Sequence, residues 1–133
     1  MKMRLMFVIL GCAALVGPAH AACNKDLLVV EDWSITAVDA ETNELSYTVR
    51  STSDKAIRMV DGQLGFKDAL GETIGPLNIE RDAAIPAKGT FSDKGLWGPF
   101  TFERLLKLKK DETTAYTCVR AILYEDGTKE EFK

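Results

Sequence analysis

Residues 114–124, TAYTCVRAILY, carry apolar side chains on both alternating faces. Tyr116, Cys118, Ile122 and Tyr124 fall on one face, and Val119, Ala121 and Leu123 on the other. A strand with one wet face alternates apolar and polar residues; a strand that is apolar on both sides belongs inside a sheet. The rest of the chain must therefore supply further strands to flank it and a second layer to cover it.

It offers several. Trp33, Ile35 and Ala37 alternate with Ser34, Thr36 and Val38, and DAETNE then turns the chain. Leu45, Tyr47 and Val49 alternate with Ser46, Thr48 and Arg50, so the two runs read as a hairpin. After the STSDK turn, residues 56–66 read as a strand with Val60, Leu64 and Phe66 toward the core. Asp68 to Gly71 reads as a tight turn, and residues 72–80 as extended chain interrupted at Gly75-Pro76. IPAKG turns into a strand around Thr90 and Phe91, and SDKGLWGPF reads as a loop. In TFERLLKLKK the period changes: Phe102, Leu105 and Leu106 recur at helical spacing. Thr101 is placed to cap that helix, Glu103 lies in its first turn, and Lys107, Lys109 and Lys110 lie near its end. After residue 124 the chain turns at Glu125-Asp126-Gly127 and returns briefly. About seven short strands with one short helix in a crossover predict an all-β, immunoglobulin-like two-sheet sandwich.

The glycines of DGQLGFKDALGETIG test the main competing reading, a phosphate-binding loop. Such a loop needs a strand, a glycine-rich turn and then a helix whose free amides meet the phosphate. Gly62 and Gly65 instead sit inside a strand pattern, where glycine marks a bulge or a close approach of chains. No helical pattern follows Gly71, and the spacing matches no nucleotide-binding fingerprint.

The first 21 residues read as a secretory leader. Lys2 and Arg4 precede an apolar run over residues 5–16, Gly17-Pro18 breaks it, and Ala19-His20-Ala21 offers small residues to a signal peptidase. The run is shorter than the roughly 17–25 residues of a spanning helix. Cleavage after Ala21 leaves residues 22–133 as a single domain in a periplasmic or secreted location, with no membrane insertion after signal removal. A lipoprotein signal ending at Cys12 is the lesser alternative.

Removing the leader reshapes the chemistry. The chain's single histidine, His20, goes with it, as do Cys12 and three of the four methionines. Without an imidazole, serine–histidine and cysteine–histidine catalysis are excluded for the mature domain. So are the ordinary histidine-based zinc and copper sites. The whole chain has a net charge of −3, and loses two positive charges with the leader. An acidic chain without a basic stripe does not suit nucleic acid. No cofactor, metal or catalytic residue is expected, and the domain is read as not an enzyme. The two mature cysteines, Cys23 and Cys118, form an even pair in an oxidising compartment and are expected to be bridged. With no C-x-x-C spacing, the bridge reads as structural.

Several pieces of the chain resemble the bacterial secreted Ig-like domains of the FxLyD type. They are the turn Ser53-Asp54-Lys55, the strand ending Phe66-Lys67-Asp68, the turn glycine Gly71, and Ile85-Pro86-Ala87-Lys88-Gly89 leading into the next strand. The resemblance covers residues 27–124. It departs from the pattern at Leu64-Gly65-Phe66 and in the helical insert over residues 102–109. It implies the sandwich fold and an extracytoplasmic location, and it carries over no common catalytic residues.

For function, Asp39, Glu41, Asn43 and Glu44 read as a polar hairpin turn and not a calcium loop. Glu125, Asp126, Glu130 and Glu131 read as a solvated acidic hairpin, since nothing in the sequence places two carboxylates across a cleft as a glycosidase needs. Trp97 and Phe100, set among glycines and a proline in GLWGPFTF, are the candidate partner-binding residues, because aromatics anchor interfaces. The competing reading has them closing one end of the sandwich. The expected function is a non-enzymatic interaction module for a protein or cell-envelope component. The alternative is a small secreted inhibitor that inserts a rigid loop into a hydrolase.

Overall fold

The computed structural model describes residues 23–133. The expected leader, with Cys12 and His20, lies outside the described residues. Along the chain run β1 (Leu28–Asp39), β2 (Thr42–Ser51), β3 (Ile57–Asp68), β4 (Thr73–Asn78) and β5 (Thr90–Trp97). Then come α1 (Glu103–Lys107), a 3₁₀ turn (Lys110–Glu112), β6 (Thr113–Tyr124) and β7 (Lys129–Glu131). A three-stranded sheet in the order β1-β2-β5 packs on a four-stranded sheet in the order β4-β3-β6-β7, and every pairing is antiparallel. This is the expected all-β immunoglobulin-like sandwich, with α1 in the crossover from β5 to β6. β4 lies beside β3, whereas in the constant-type immunoglobulin arrangement the fourth strand joins the first sheet.

The core follows from alternation. Leu45, Tyr47 and Val49 face inward from β2, and Val60, Leu64 and Phe66 from β3, each at most 5% exposed. β6 lies between β3 and β7, as its two apolar faces require. Its faces are not the ones strict alternation gives. Arg120 is an extra residue between the pairs Gly62↔Val119 and Asp61↔Ala121, so Thr117 and Val119 face inward before it, and Ile122 and Tyr124 after it. Such a bulge reverses the side-chain parity and places Cys118 on the outer face. A second bulge, at Glu31, explains why β1 begins at Leu28 rather than near Trp33. Leu28 and Val30 pair inward before it, and Trp33 and Ile35 after it. A period-2 reading loses the strand at such a point.

Both strand glycines take the expected roles. Gly62 flanks the β6 bulge, and Gly65 marks a close approach of chains opposite Tyr116, the extra residue at the β3–β4 shift lying on β4 within Gly75-Pro76. A Cβ on Gly65 would stand 2.5 Å from the end of the Tyr116 ring, its cross-strand neighbour. Because that ring end can swing outward, Gly65→Ala should cost no more than about 1 kcal/mol in urea unfolding, the entropy gained over glycine offsetting the lost contact.

Cys23 and Cys118 are joined, with Cα atoms 5.2 Å apart across a sequence separation of 95. The bond ties the start of the domain to the outer face of β6, unlike the inter-sheet bridge of antibody domains. Asn24 pairs with Val119 beside it through two backbone hydrogen bonds of 2.8 and 2.9 Å.

Candidate functional site

SDKGLWGPF is not all loop: β5 continues through Trp97, which pairs with Asn43 at the start of β2. Beyond it, Thr101 N–H donates to the Gly98 carbonyl (3.1 Å), closing a β-turn with Pro99 and Phe100 at its corners. Proline suits the first corner because its φ is already set. Phe100 is 84% exposed at the tip.

The turn is held from beneath. Asn43 is 3% exposed, and its Nδ2 donates to the carbonyls of Pro99 (3.4 Å) and Thr101 (3.2 Å), one on each side of Phe100. Asn43 breaks the inward apolar run Asn43-Leu45-Tyr47-Val49, and this grip is the reason a polar side chain is tolerated there. Replacing it with alanine leaves two carbonyls without their donor. Asn43→Ala should therefore lower stability by about 1–2 kcal/mol and speed hydrogen exchange of the Thr101 amide.

Phe102 turns back into the core. It is 6% exposed and has φ = 58°, a conformation bulky residues rarely adopt. It meets Trp97 edge-on with centroids 5.2 Å apart, and Phe66 at 6.4 Å; Phe66 meets Trp33 at 4.9 Å. A Cβ on Gly75 would lie 3.1 Å from the Phe102 ring, so glycine there makes room for it. Trp97 is thus half-buried against the core, while Phe100 is not. The helix is shorter than residues 102–109: it spans Glu103–Lys107, and its cap is Phe102 rather than Thr101, with no side-chain capping bond. Leu105 anchors it to the core.

Arg104 fastens this end to the β3–β4 turn through Asp68 (2.9 Å) and Glu72 (3.4 Å). Asp68 Oδ1 also accepts the Leu70 and Glu72 amides. The Glu72 amide first, then Arg104, hold the Asp68 carboxyl below the usual carboxylate range. A groove of about 520 Å³ opens between Gly75-Pro76 and the Phe100 turn. Among the described residues, the exposed large hydrophobic side chains Val38, Leu70, Leu96, Phe100 and Leu106 belong to the elements that meet at this end of the sandwich.

Of the acidic groups weighed earlier, Glu41, Glu125 and Asp126 lie in turns, whereas Asp39 ends β1, Glu44 lies in β2, and Glu130 and Glu131 lie in β7. Asp39 Oδ1 accepts the Glu41 amide at 2.8 Å. Asp126 accepts the Thr128 hydroxyl and amide and pairs with Lys55 at 3.1 Å, which lowers its pKa to about 2. Glu130 accepts the Tyr124 hydroxyl at 2.8 Å. No group of three or more His, Cys, Asp or Glu among the described residues is placed to hold a metal ion. No helix among them is long and apolar enough to cross a membrane.

Trp97 and Phe100 are therefore brought to one end of the fold but to different depths. No family model and no curated protein matches the chain. It is similar to an X-ray structure described as a Northeast Structural Genomics Consortium target, SoR45, at 13% identity and a TM-score of 0.40, over 82% of this chain and 84% of that one.

Proposed function

We propose that this chain is a non-enzymatic extracytoplasmic interaction module that binds a protein or cell-envelope component through the end of the sandwich bearing Phe100. The reading rests on one observation above the others. A nearly fully exposed aromatic side chain sits on a turn whose two flanking carbonyls are gripped by a buried amide. Holding an anchor in place before binding reduces the ordering cost of association. Four further apolar side chains at the same end extend the contact area. The leader motif, the disulfide and the FxLyD-like turns support an extracytoplasmic setting.

The test is a quantitative pull-down from envelope extract, with wild-type and Phe100→Ser domains as paired baits. A component retained by the wild type and lost with Phe100→Ser supports the reading; identical retention by both removes it. The same rigid turn also favours the second reading, a hydrolase inhibitor. In that case the retained component is a hydrolase whose activity falls stoichiometrically with added domain.

A further inference from the structure

Among the described residues, four strands lie at sheet edges: β1 and β5 in one sheet, β4 and β7 in the other. Three are blunted in the ways that discourage strand addition. β1 is bulged at Glu31, and Lys110 from the 3₁₀ turn bonds Asp32 and the Trp33 carbonyl on it. β4 contains Pro76, and β7 is three residues long. β5 carries charges, with Asp93 facing inward and Lys94 outward, but it has no bulge and no proline, and its eight residues pair with β2 in unbroken register. Ser51 N–H donates to the Gly89 carbonyl, which sets the phase of that ladder. Residues 91, 93, 95 and 97 therefore bond β2, and the backbone groups of Thr90, Ser92, Lys94 and Leu96 point away from the sheet.

Asp93 lies on the inward face of this edge, directly opposite Tyr47. Its Oδ1 holds the outward Lys94 N–H at 2.8 Å. Tyr47 is 5% exposed, and its hydroxyl is enclosed with no hydrogen-bond partner among the described residues. Burial first, then the charges of Asp93 and of Glu80 just beyond β4, push this phenol up to about 12. A carboxylate and a buried, unpartnered hydroxyl thus adjoin at the β5 edge.

We propose that β5 is a strand-acceptor edge. An extended segment of a partner adds antiparallel to it, and a Lys or Arg of that segment, opposite Asp93, pairs with the Asp93 carboxylate beside the Tyr47 hydroxyl. Asp93 takes the non-hydrogen-bonded position toward the incoming strand, where facing side chains come closest. A carbonyl of that strand takes over the Lys94 N–H and frees the Asp93 carboxylate for the cation. Main-chain bonds give the attachment, and the charge opposite Asp93 gives the selectivity. A second copy of β5 is a poor occupant, because the fullest antiparallel self-pairing sets Asp93 against Asp93 or Lys94 against Lys94.

The test titrates isotope-labelled mature domain with a short alternating Thr/Val peptide, blocked at both ends, carrying Lys, norleucine or Glu at its centre. The Lys peptide should shift the amides of Thr90, Ser92, Lys94 and Leu96 and bind at least about 10-fold more tightly than the Glu peptide. Asp93→Asn should abolish that preference. Tyr47→Phe should weaken the Lys peptide several-fold with little effect on the norleucine peptide. Phe100→Ser should leave the preference intact, which separates this surface from the Phe100 turn. Undisturbed β5 amides with every peptide, or equal affinity for the Lys and Glu peptides, would overturn the proposal.

Discussion

Replacing both Cys23 and Cys118 with serine should lower the unfolding free energy by about 4 kcal/mol, the largest single loss expected for this domain. The bridge closes a loop spanning a sequence separation of 95, nearly the whole folded chain, and the loop-entropy relation gives about 4–5 kcal/mol for a loop of that size. The lower end is expected because the Asn24–Val119 backbone pair still holds the first residues against β6 when the bond is gone. The Asn24 side chain, whose Oδ1 accepts the Asp26 and Leu27 amides at 2.8 Å, keeps the following turn in shape. The core is untouched, so the variant should fold to the same sandwich, unfold in one step, and show a shifted denaturant midpoint. Reduced wild type should match the double variant. A loss below about 1 kcal/mol in both would mean the bond does not restrain the unfolded chain. Non-reducing peptide mapping of the native protein should recover the two cysteines as one linked pair.

What the sequence reveals about this fold, and what it conceals, follows from where the side-chain period holds. β2 and the core side of β3 are legible because Leu45, Tyr47 and Val49, and Val60, Leu64 and Phe66, each keep one parity: beyond Arg58 the extra residues at the register shifts along β3 lie on its partners β6 and β4. β1 and β6 are legible as strands but not in full, because Glu31 and Arg120 each reverse the parity, a change set by pairing across the sheet and not by local composition. β5 is the strand most deeply hidden. Its inward face reads Phe91-Asp93-Gly95-Trp97, and an acid and a glycine at the two central positions erase the apolar alternation. The same two residues matter to the edge: Gly95 leaves space for the Trp97 indole, whose Nε1 would lie 3.2 Å from a Cβ there, and Asp93 faces Tyr47. The helix is visible from its period, yet its start is not, since a Phe at φ = 58° is imposed by packing against Trp97 and Phe66. Trp97 and Phe100 stand out by composition alone, but their different depths depend on Asn43, which lies far from them in sequence. The available signal was a polar residue at an inward position of β2.

That difference in depth should separate two neighbouring aromatic substitutions. Trp97→Ala should lower stability by about 3 kcal/mol, toward the low end for a large aromatic because the indole is only half-buried. It removes the edge-on contact with Phe102 at 5.2 Å and opens space beneath a residue whose φ of 58° that packing maintains. Phe100→Ala should change stability by less than about 0.5 kcal/mol, because a side chain that is 84% exposed gains little on folding. Its effect belongs to binding, where loss of an aromatic anchor costs about 2 kcal/mol or more, roughly a 30-fold weaker complex. Urea unfolding of the two variants decides the first half without knowledge of the partner. Equal losses of stability would mean that Phe100 folds back onto the sandwich and is not presented to solvent. Retained stability in Trp97→Ala would mean that the ring stack from Trp33 through Phe66 and Phe102 does not depend on its last member. The pull-down with Phe100→Ser then reads the second half, and it does so in a domain whose fold is intact, so a lost partner reports the contact itself.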